Sequence, residues 1–290
     1  MLIGAHVSTS GGLVKAHARG LEIGAEAIQV FNQSPRMWRP TTWNDDDIAE
    51  FRDLMDDGPI KSVVIHAVYL INCASVDDAI RDKSIASLTQ ALRMGDAIAA
   101  DGVVVHPGSS VGEPQEQAVE RAGAAFVDAL QESEACPLLL EDTAGSGNTL
   151  GRSFGELAAL FDAAGRHERL GLCLDSCHML ASGFDITTAG KLAKVIDECV
   201  ELIGTDTVKC LHVNDSRTPL GSNVDRHAPP GDGELGPRGI GAFLSEPRFE
   251  GLPALFEGPG VEGKAPARVD VDRTKELRKQ GLAARKRRRS

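Results

Sequence analysis

The chain has 290 residues, 42% of them hydrophobic and 25% charged, which excludes a collagen-like, disulfide-scaffold or largely disordered protein. No apolar run approaches the ~20 residues of a membrane span, and residues 1–12 lack the basic stretch and apolar core of a signal peptide, so a cytoplasmic protein with no membrane association is expected. The net charge of −11 is uneven: residues 273–290 hold nine Lys/Arg and one Glu (+8), whereas residues 1–272 hold 22 basic and 41 acidic residues (−19).

Short runs rich in Val, Ile and Leu occur at 2–7, 27–32, 62–67, 102–108, 137–142, 171–177, 208–215 and 253–258. Most are nearly continuously apolar, as parallel strands covered on both faces should be. Between them lie polar segments of helical period, such as 78–98, 113–132, 154–164 and 191–202. Strand then helix, eight times, predicts an α/β fold: a single (β/α)8 TIM barrel over residues 1–281, followed by a basic, disordered tail over 282–290. A doubly wound sheet is the rival, but residues 7–12 carry no GxGxxG, and the spacing of Gly145, Gly147 and Gly151 suits a tight turn rather than a dinucleotide loop. The six cysteines form no Cys-x-x-Cys pair and read as reduced, buried thiols.

Polar residues stand where the strands end. They are His66, His106, Glu141, Asp175, His212 and Glu257, with His178, Asp225 and His227 on adjoining loops. In a barrel the strand C-termini converge on one mouth, where active sites form. Four carboxylates pushed together repel, and cations relieve that repulsion. Imidazole and carboxylate are donors that Zn2+ accepts. Any one of these residues alone could be structural, a strand-end Asp as a helix cap for example. Five of the eight histidines and four carboxylates in successive strand-end positions are too many for nine independent structural uses. Nine donors exceed one tetrahedral site and suit two or three ions. His6 is read as structural, and His17 and His167 as surface residues of helical segments.

Three stretches closely resemble the endonuclease IV family, zinc-dependent apurinic/apyrimidinic endonucleases on a TIM barrel: His66 to Asn72, Gly171 to His178, and Leu211 to His227. Gly4 to Ser8, Glu141 to Gly145, and Glu257 before Gly258 and Pro259 add support, and the similarity spans about residues 1–280. Four positions depart from the usual pattern: Ser176 for Thr, Arg217 for Lys, Asp232 for a Glu between glycines, and Gly258 for Thr. The resemblance implies three Zn2+ per chain. His66, His106 and Glu141 would hold the first, Glu141, Asp175, His212 and Glu257 the second, and His178, Asp225 and His227 the third, where Mn2+ can substitute.

It further implies a monomeric enzyme acting on duplex DNA containing abasic sites. The phosphodiester 5′ to the lesion would be hydrolysed to a 3′-hydroxyl and a 5′-deoxyribose phosphate, and blocked 3′ ends would be cleaned at the same site. Glu141, as the bridging group, and Glu257, orienting the attacking water, are the catalytic candidates. Tyr69 and Leu70 resemble the duplex-intercalating residues and Arg36 the inserted arginine, while Asn32 and Gln33 are expected at phosphates. One rival is a metal-dependent sugar isomerase or epimerase of the xylose-isomerase-like barrels, which would use only Glu141, Asp175, His212 and Glu257. A second is a non-catalytic binder of damaged DNA.

Overall fold

The computed structural model describes residues 1–288. In chain order the elements are β1 (Leu2–His6), α1 (Leu13–Glu22), β2 (Ala27–Phe31), α2 (Asp45–Asp57), β3 (Ser62–His66), α3 (Asp78–Ile98), β4 (Gly102–Val105), α4 (Gln115–Gln131) and β5 (Leu138–Glu141). There follow α5 (Phe154–Ala163), β6 (Leu170–Asp175), α6 (Ser176–Ser182), α7 (Ala189–Leu202), β7 (Val208–His212), β8 (Asp215–Ser216), β9 (His227–Ala228), α8 (Gly236–Phe243), β10 (Pro253–Phe256) and α9 (Arg268–Arg287). Eight strands close into a parallel barrel in the order β1-β10-β7-β6-β5-β4-β3-β2, with β8 and β9 as a separate antiparallel ribbon.

The eight apolar runs are the eight barrel strands, and segment 78–98 is α3. Every run extends past its strand, and in three of them a local reason is visible. At 102–108, Pro107 follows His106 and cannot donate to a ladder. At 171–177, Asp175 caps α6 by accepting from the Cys177 and His178 amides, so the chain turns helical at Ser176. At 208–215, the chain leaves the barrel after His212, and Asp215 and Ser216 pair with His227 and Ala228.

Inside the barrel, side chains alternate with period two. Ala27, Val64, Val104, Leu139, Cys173, Cys210 and Leu255 form one apolar layer. Two residues further along each of those strands stand Gln29, His66, His106, Glu141, Asp175, His212 and Glu257. A dry, filled layer therefore floors the polar one. The outer core is a continuous cluster between strands and helices that includes Phe51, Phe126, Phe154 and Phe243. All six cysteines are free and buried.

The expected disordered tail is corrected. Helix α9 continues to Arg287, and only Arg289 and Ser290 lie outside the described residues. Arg285 donates to the Ser245 carbonyl and lies 3.5 Å from Glu250, and Gly281 packs so closely on α8 that a Cβ there would collide with the Gly241 carbonyl. These contacts give a helix rich in Lys and Arg tertiary support that local composition does not show. Met1's amino group also lies 3.9 Å from Glu250, just ahead of β10. The end of α9 therefore sits on the rim where strands begin, opposite the mouth.

Candidate metal centre

The nine strand-end and loop donors gather at the C-terminal mouth in three groups. His66, His106 and Glu141 form one, Glu141, Asp175, His212 and Glu257 another, and His178, Asp225 and His227 a third; within each, one donor atom per residue lies within 4.8 Å of the others. Glu141 belongs to two groups. Its Oε2 is 3.2 Å from His66 Nε2 and 3.1 Å from His106 Nε2, and its Oε1 is 2.8 Å from His212 Nδ1. A cavity of about 660 Å³ opens over the groups, walled also by Tyr69, Arg217, Arg226 and Pro259.

Each donor is held by its own element. Asp175 divides its carboxylate: Oδ1 caps α6, while Oδ2 faces the cluster and accepts from Asn214 Nδ2 at 2.6 Å. His178 rides on the first turn of α6. Asp225 comes from the loop between β8 and β9 and His227 from β9 itself, and the segment that follows β9 is pinned from below. There the Asp215 carboxylate accepts from the backbone amides of Gly231, Gly233, Leu235 and Gly236. Asp232, at one of the departures, forms an ion pair with Arg273 of α9 and so ties that segment to the barrel wall. Arg217, at another, donates to the His227 carbonyl.

At His66, His178, His212, Glu141 and Asp225 burial opposes charge, and attraction from neighbouring groups reverses it. Burial pulls His66 down, but Glu141 holds it above the usual imidazole range. Burial is likewise outweighed at His178 by Asp175 and Asp225, and at His212 by Glu257 and Glu141. The carboxylates move the other way. Burial would raise Glu141, yet His212 and His106 hold it well below the ordinary carboxylate range. Asp225 is also lowered, by His178 and His227 against its burial. The carboxylates thus require positive charge among them.

A proton on each imidazole or a cation between the rings and the carboxylates would answer that need, and the outer hydrogen bonds suit the second. His66 Nδ1 lies 2.7 Å from the Ala67 carbonyl, and His178 Nδ1 lies 2.8 Å from the Asp142 carbonyl. A carbonyl only accepts, so each Nδ1 carries the proton. In the neutral ring Nε2 then presents a lone pair, to Glu141 at 3.2 Å from His66 and to Asp225 at 3.4 Å from His178. Lone pairs facing carboxylate oxygens repel unless a cation lies between, and a histidine anchored through its outer N–H is the usual arrangement of a metal ligand. Asp225 Oδ1 and His227 Nε2 are buried 3.1 Å apart, each with no hydrogen-bond partner among the described residues. The donor set fits divalent cations of the zinc class.

The fold has wide likeness. The family model described as a xylose isomerase-like TIM barrel matches residues 18–279. A solved D-tagatose 3-epimerase-like protein overlays with a TM-score of 0.71 over 100% of each chain, but at 17% identity this shows the fold alone. A protein of Chloroflexus aurantiacus called a probable endonuclease 4 is 38% identical over 92% of this chain and 95% of its own. The chain belongs to the endonuclease IV family. The crystal structure of endonuclease IV from Thermus thermophilus agrees, with 32% identity, a TM-score of 0.83 and coverage of 98% of this chain and 100% of that one. This endonuclease IV overlays more closely than the epimerase-like barrel.

Around the mouth of this barrel, other sequence-predicted residues fall unevenly. Tyr69 is 55% exposed, stands 5.5 Å from the His66 ring and 6.0 Å from the His106 ring, and its amide donates to the Pro35 carbonyl. Leu70 is half-buried against the core, and Arg36 is exposed on the neighbouring loop. Asn32 and Gln33 are both buried, at 1% and 4% exposure; Gln33 donates to the Met37 carbonyl, while both amide atoms of Asn32 and Gln33 Oε1 have no hydrogen-bond partner among the described residues. His17 is also corrected. It is buried on α1 with its ring edge-on to Phe51, because it lies on the inward stripe of that helix. His167 lies outside any helix. His6, at the end of β1, packs at a tilt against Phe31 with ring centroids 4.6 Å apart, and burial pushes it down to about 4.

Sequence reasoning passed over Gln29, Asp142 and Asn214. Asn214 donates to Asp175 Oδ2 and Glu257 Oε2, and its oxygen accepts from the Glu257 and Gly258 amides. Asp142 Oδ1 accepts from the Asp175 amide. Only Gln29 left a signal: it stands two residues after an interior Ala27, in register with the other inward polar positions.

Proposed function

We propose that this chain is a DNA-repair endonuclease that hydrolyses the phosphodiester 5′ to abasic sites in duplex DNA. The products are a 3′-hydroxyl and a 5′-deoxyribose phosphate, and the same centre removes blocking groups from 3′ ends. The observation that carries this reading is the sharing of Glu141 between two donor groups beside a third, in a chain of the endonuclease IV family. We assign His66, His106 and Glu141 to one Zn2+, Glu141, Asp175, His212 and Glu257 to a second, and His178, Asp225 and His227 to a third ion, Zn2+ or Mn2+. Bound ions of this class lower the pKa of water towards neutrality and neutralise charge on a phosphodiester.

The chain's own residues do the rest. Glu141 spaces the first two groups and sets where the phosphate lies. Glu257, partly open to the cavity, orients the attacking water in line with the scissile bond. Tyr69, exposed over the His66 and His106 rings, fills the gap left by the missing base, with Leu70 behind it and Arg36 beside it. A lesion without a base costs less to unstack, which adds selectivity. The reading takes the protein as a monomer in the cytoplasm. A sugar isomerase of this fold would leave His178, Asp225 and His227 without a use.

The test is incubation of the purified protein with end-labelled duplex carrying one abasic site. A nick 5′ to the lesion, with a 3′-hydroxyl and a 5′-deoxyribose phosphate, is expected. Tight lesion binding without any nick would establish the non-catalytic binder instead.

A further inference from the structure

We propose that Gln29 is a positioning residue that fixes both His212 and Glu257 towards the second ion. This role rests on the metal reading above. Gln29 is fully buried on β2, across the barrel from β7. Its carboxamide meets Glu257 Oε1 through Nε2 at 2.5 Å and His212 Nε2 through Oε1 at 2.8 Å.

The hydrogen-bond roles follow in one direction. A carboxylate at neutral pH only accepts, so the NH2 of Gln29 must face Glu257. Its oxygen then faces His212, whose Nε2 must donate. A neutral His212 therefore has its lone pair on Nδ1, which lies 2.8 Å from Glu141 Oε1 and 3.0 Å from Glu257 Oε2. One amide thus sets the ring orientation of an imidazole donor and the rotation of a carboxylate donor in the same group. Asn214 holds the other oxygen, Glu257 Oε2, at 3.3 Å. Glu257 is consequently gripped from two sides by side-chain amides, and of these two Gln29 is the one that also controls His212. No charged side chain could replace it: a lysine could not accept from His212, and a carboxylate could not donate to Glu257.

Gln29→Met keeps the bulk and removes both hydrogen bonds, while Gln29→Glu keeps an acceptor for His212 but opposes Glu257. The experiment loads full-length protein with Zn2+, dialyses it against a graded series of a zinc chelator and counts ions per chain. Thermal midpoints, kcat and KM on abasic duplex, and nitrogen NMR of the histidine rings accompany it. In Gln29→Met one ion of the set should leave at roughly 10- to 100-fold lower chelator, the usual loss when such a partner of a ligand is removed. Its kcat should fall with KM unchanged, and the His212 Nε2–H proton signal should move upfield as its hydrogen bond is lost. Gln29→Glu should leave that signal in place and still lose kcat. Ion retention equal to the unsubstituted protein overturns the role, as does simultaneous loss of all ions with a lowered thermal midpoint. An unsubstituted protein that takes up no ions overturns the metal reading beneath it and this role as well.

Discussion

Glu141 is the residue on which the centre turns. Its two oxygens reach His66 and His106 on one side and His212 on the other, from the end of a strand with every side chain buried. Glu141→Gln preserves shape but replaces one acceptor oxygen with a donor, which two imidazole lone pairs accept and a cation does not. Cleavage of an abasic duplex should fall by more than about 100-fold, beyond what removal of an indirect partner brings, while circular dichroism stays that of the folded barrel; near-normal turnover would remove Glu141 from the mechanism. Tyr69 makes a separate case, because it donates nothing to the cluster. Tyr69→Ala should cut the binding preference for abasic over intact duplex by roughly 5- to 100-fold, the worth of one aromatic–base contact. Ion content should not change, and an unchanged preference would leave Tyr69 as loop packing.

At the scale of elements, the helices are tied to strands by side chains that replace missing backbone partners. Asp96, near the end of α3, accepts from the amides of Glu134, Ala135 and Cys136 just ahead of β5. Burial would raise this carboxyl, but the three amides and Arg169 hold it below its ordinary value. A carboxyl lowered on folding contributes stability above its unfolded pKa of about 3.9 and loses it as pH falls through the folded value. Asp96→Asn should therefore cost about 0.5–1 kcal/mol at pH 7 in urea unfolding, solvent screening reducing the worth of these partly exposed bonds, and the gap should narrow below about pH 4; a gap independent of pH would refute the assignment.

Helix α9 is a second case. Because Arg285 anchors it at the rim away from the mouth, ending the chain after Leu282 should reduce stability by about 1–2 kcal/mol. The salt dependence of duplex binding should stay the same, since each phosphate no longer neutralised would flatten the slope by about 0.9. A flatter slope in the shortened protein would place the basic end on DNA.

For the molecule as a whole, an acidic body encloses a mouth that must receive a polyanion. The charge over residues 1–272 is −19, so attraction to DNA has to come from inside the mouth rather than from the net field. Elemental analysis should find close to three divalent ions per chain, whereas a single ion would favour the isomerase reading. Ions that bind only the folded chain stabilise it by mass action, about 4 kcal/mol each at a thousandfold excess over Kd. Chelation should then lower the thermal midpoint by at least about 5 °C; an unmoved midpoint would mean that the cluster holds no ion in the folded protein.

The succession of barrel strands, the closed barrel and the mouth as the place of chemistry were legible in the sequence, because apolar runs of strand length and polar residues at their ends are local patterns. His66, Glu141, Asp175 and His212 could be picked out for the same reason: each breaks an apolar run at its end. The tertiary structure decided what depends on partners distant in the chain. Asn32 and Gln33 turned inward because the loop after β2 folds over them, and α9 ordered because α8 and Glu250 receive it. Gln29 acquired its place only when closure of the barrel brought β2 within hydrogen-bond reach of residues 183 and 228 positions away, a proximity that no local pattern encodes.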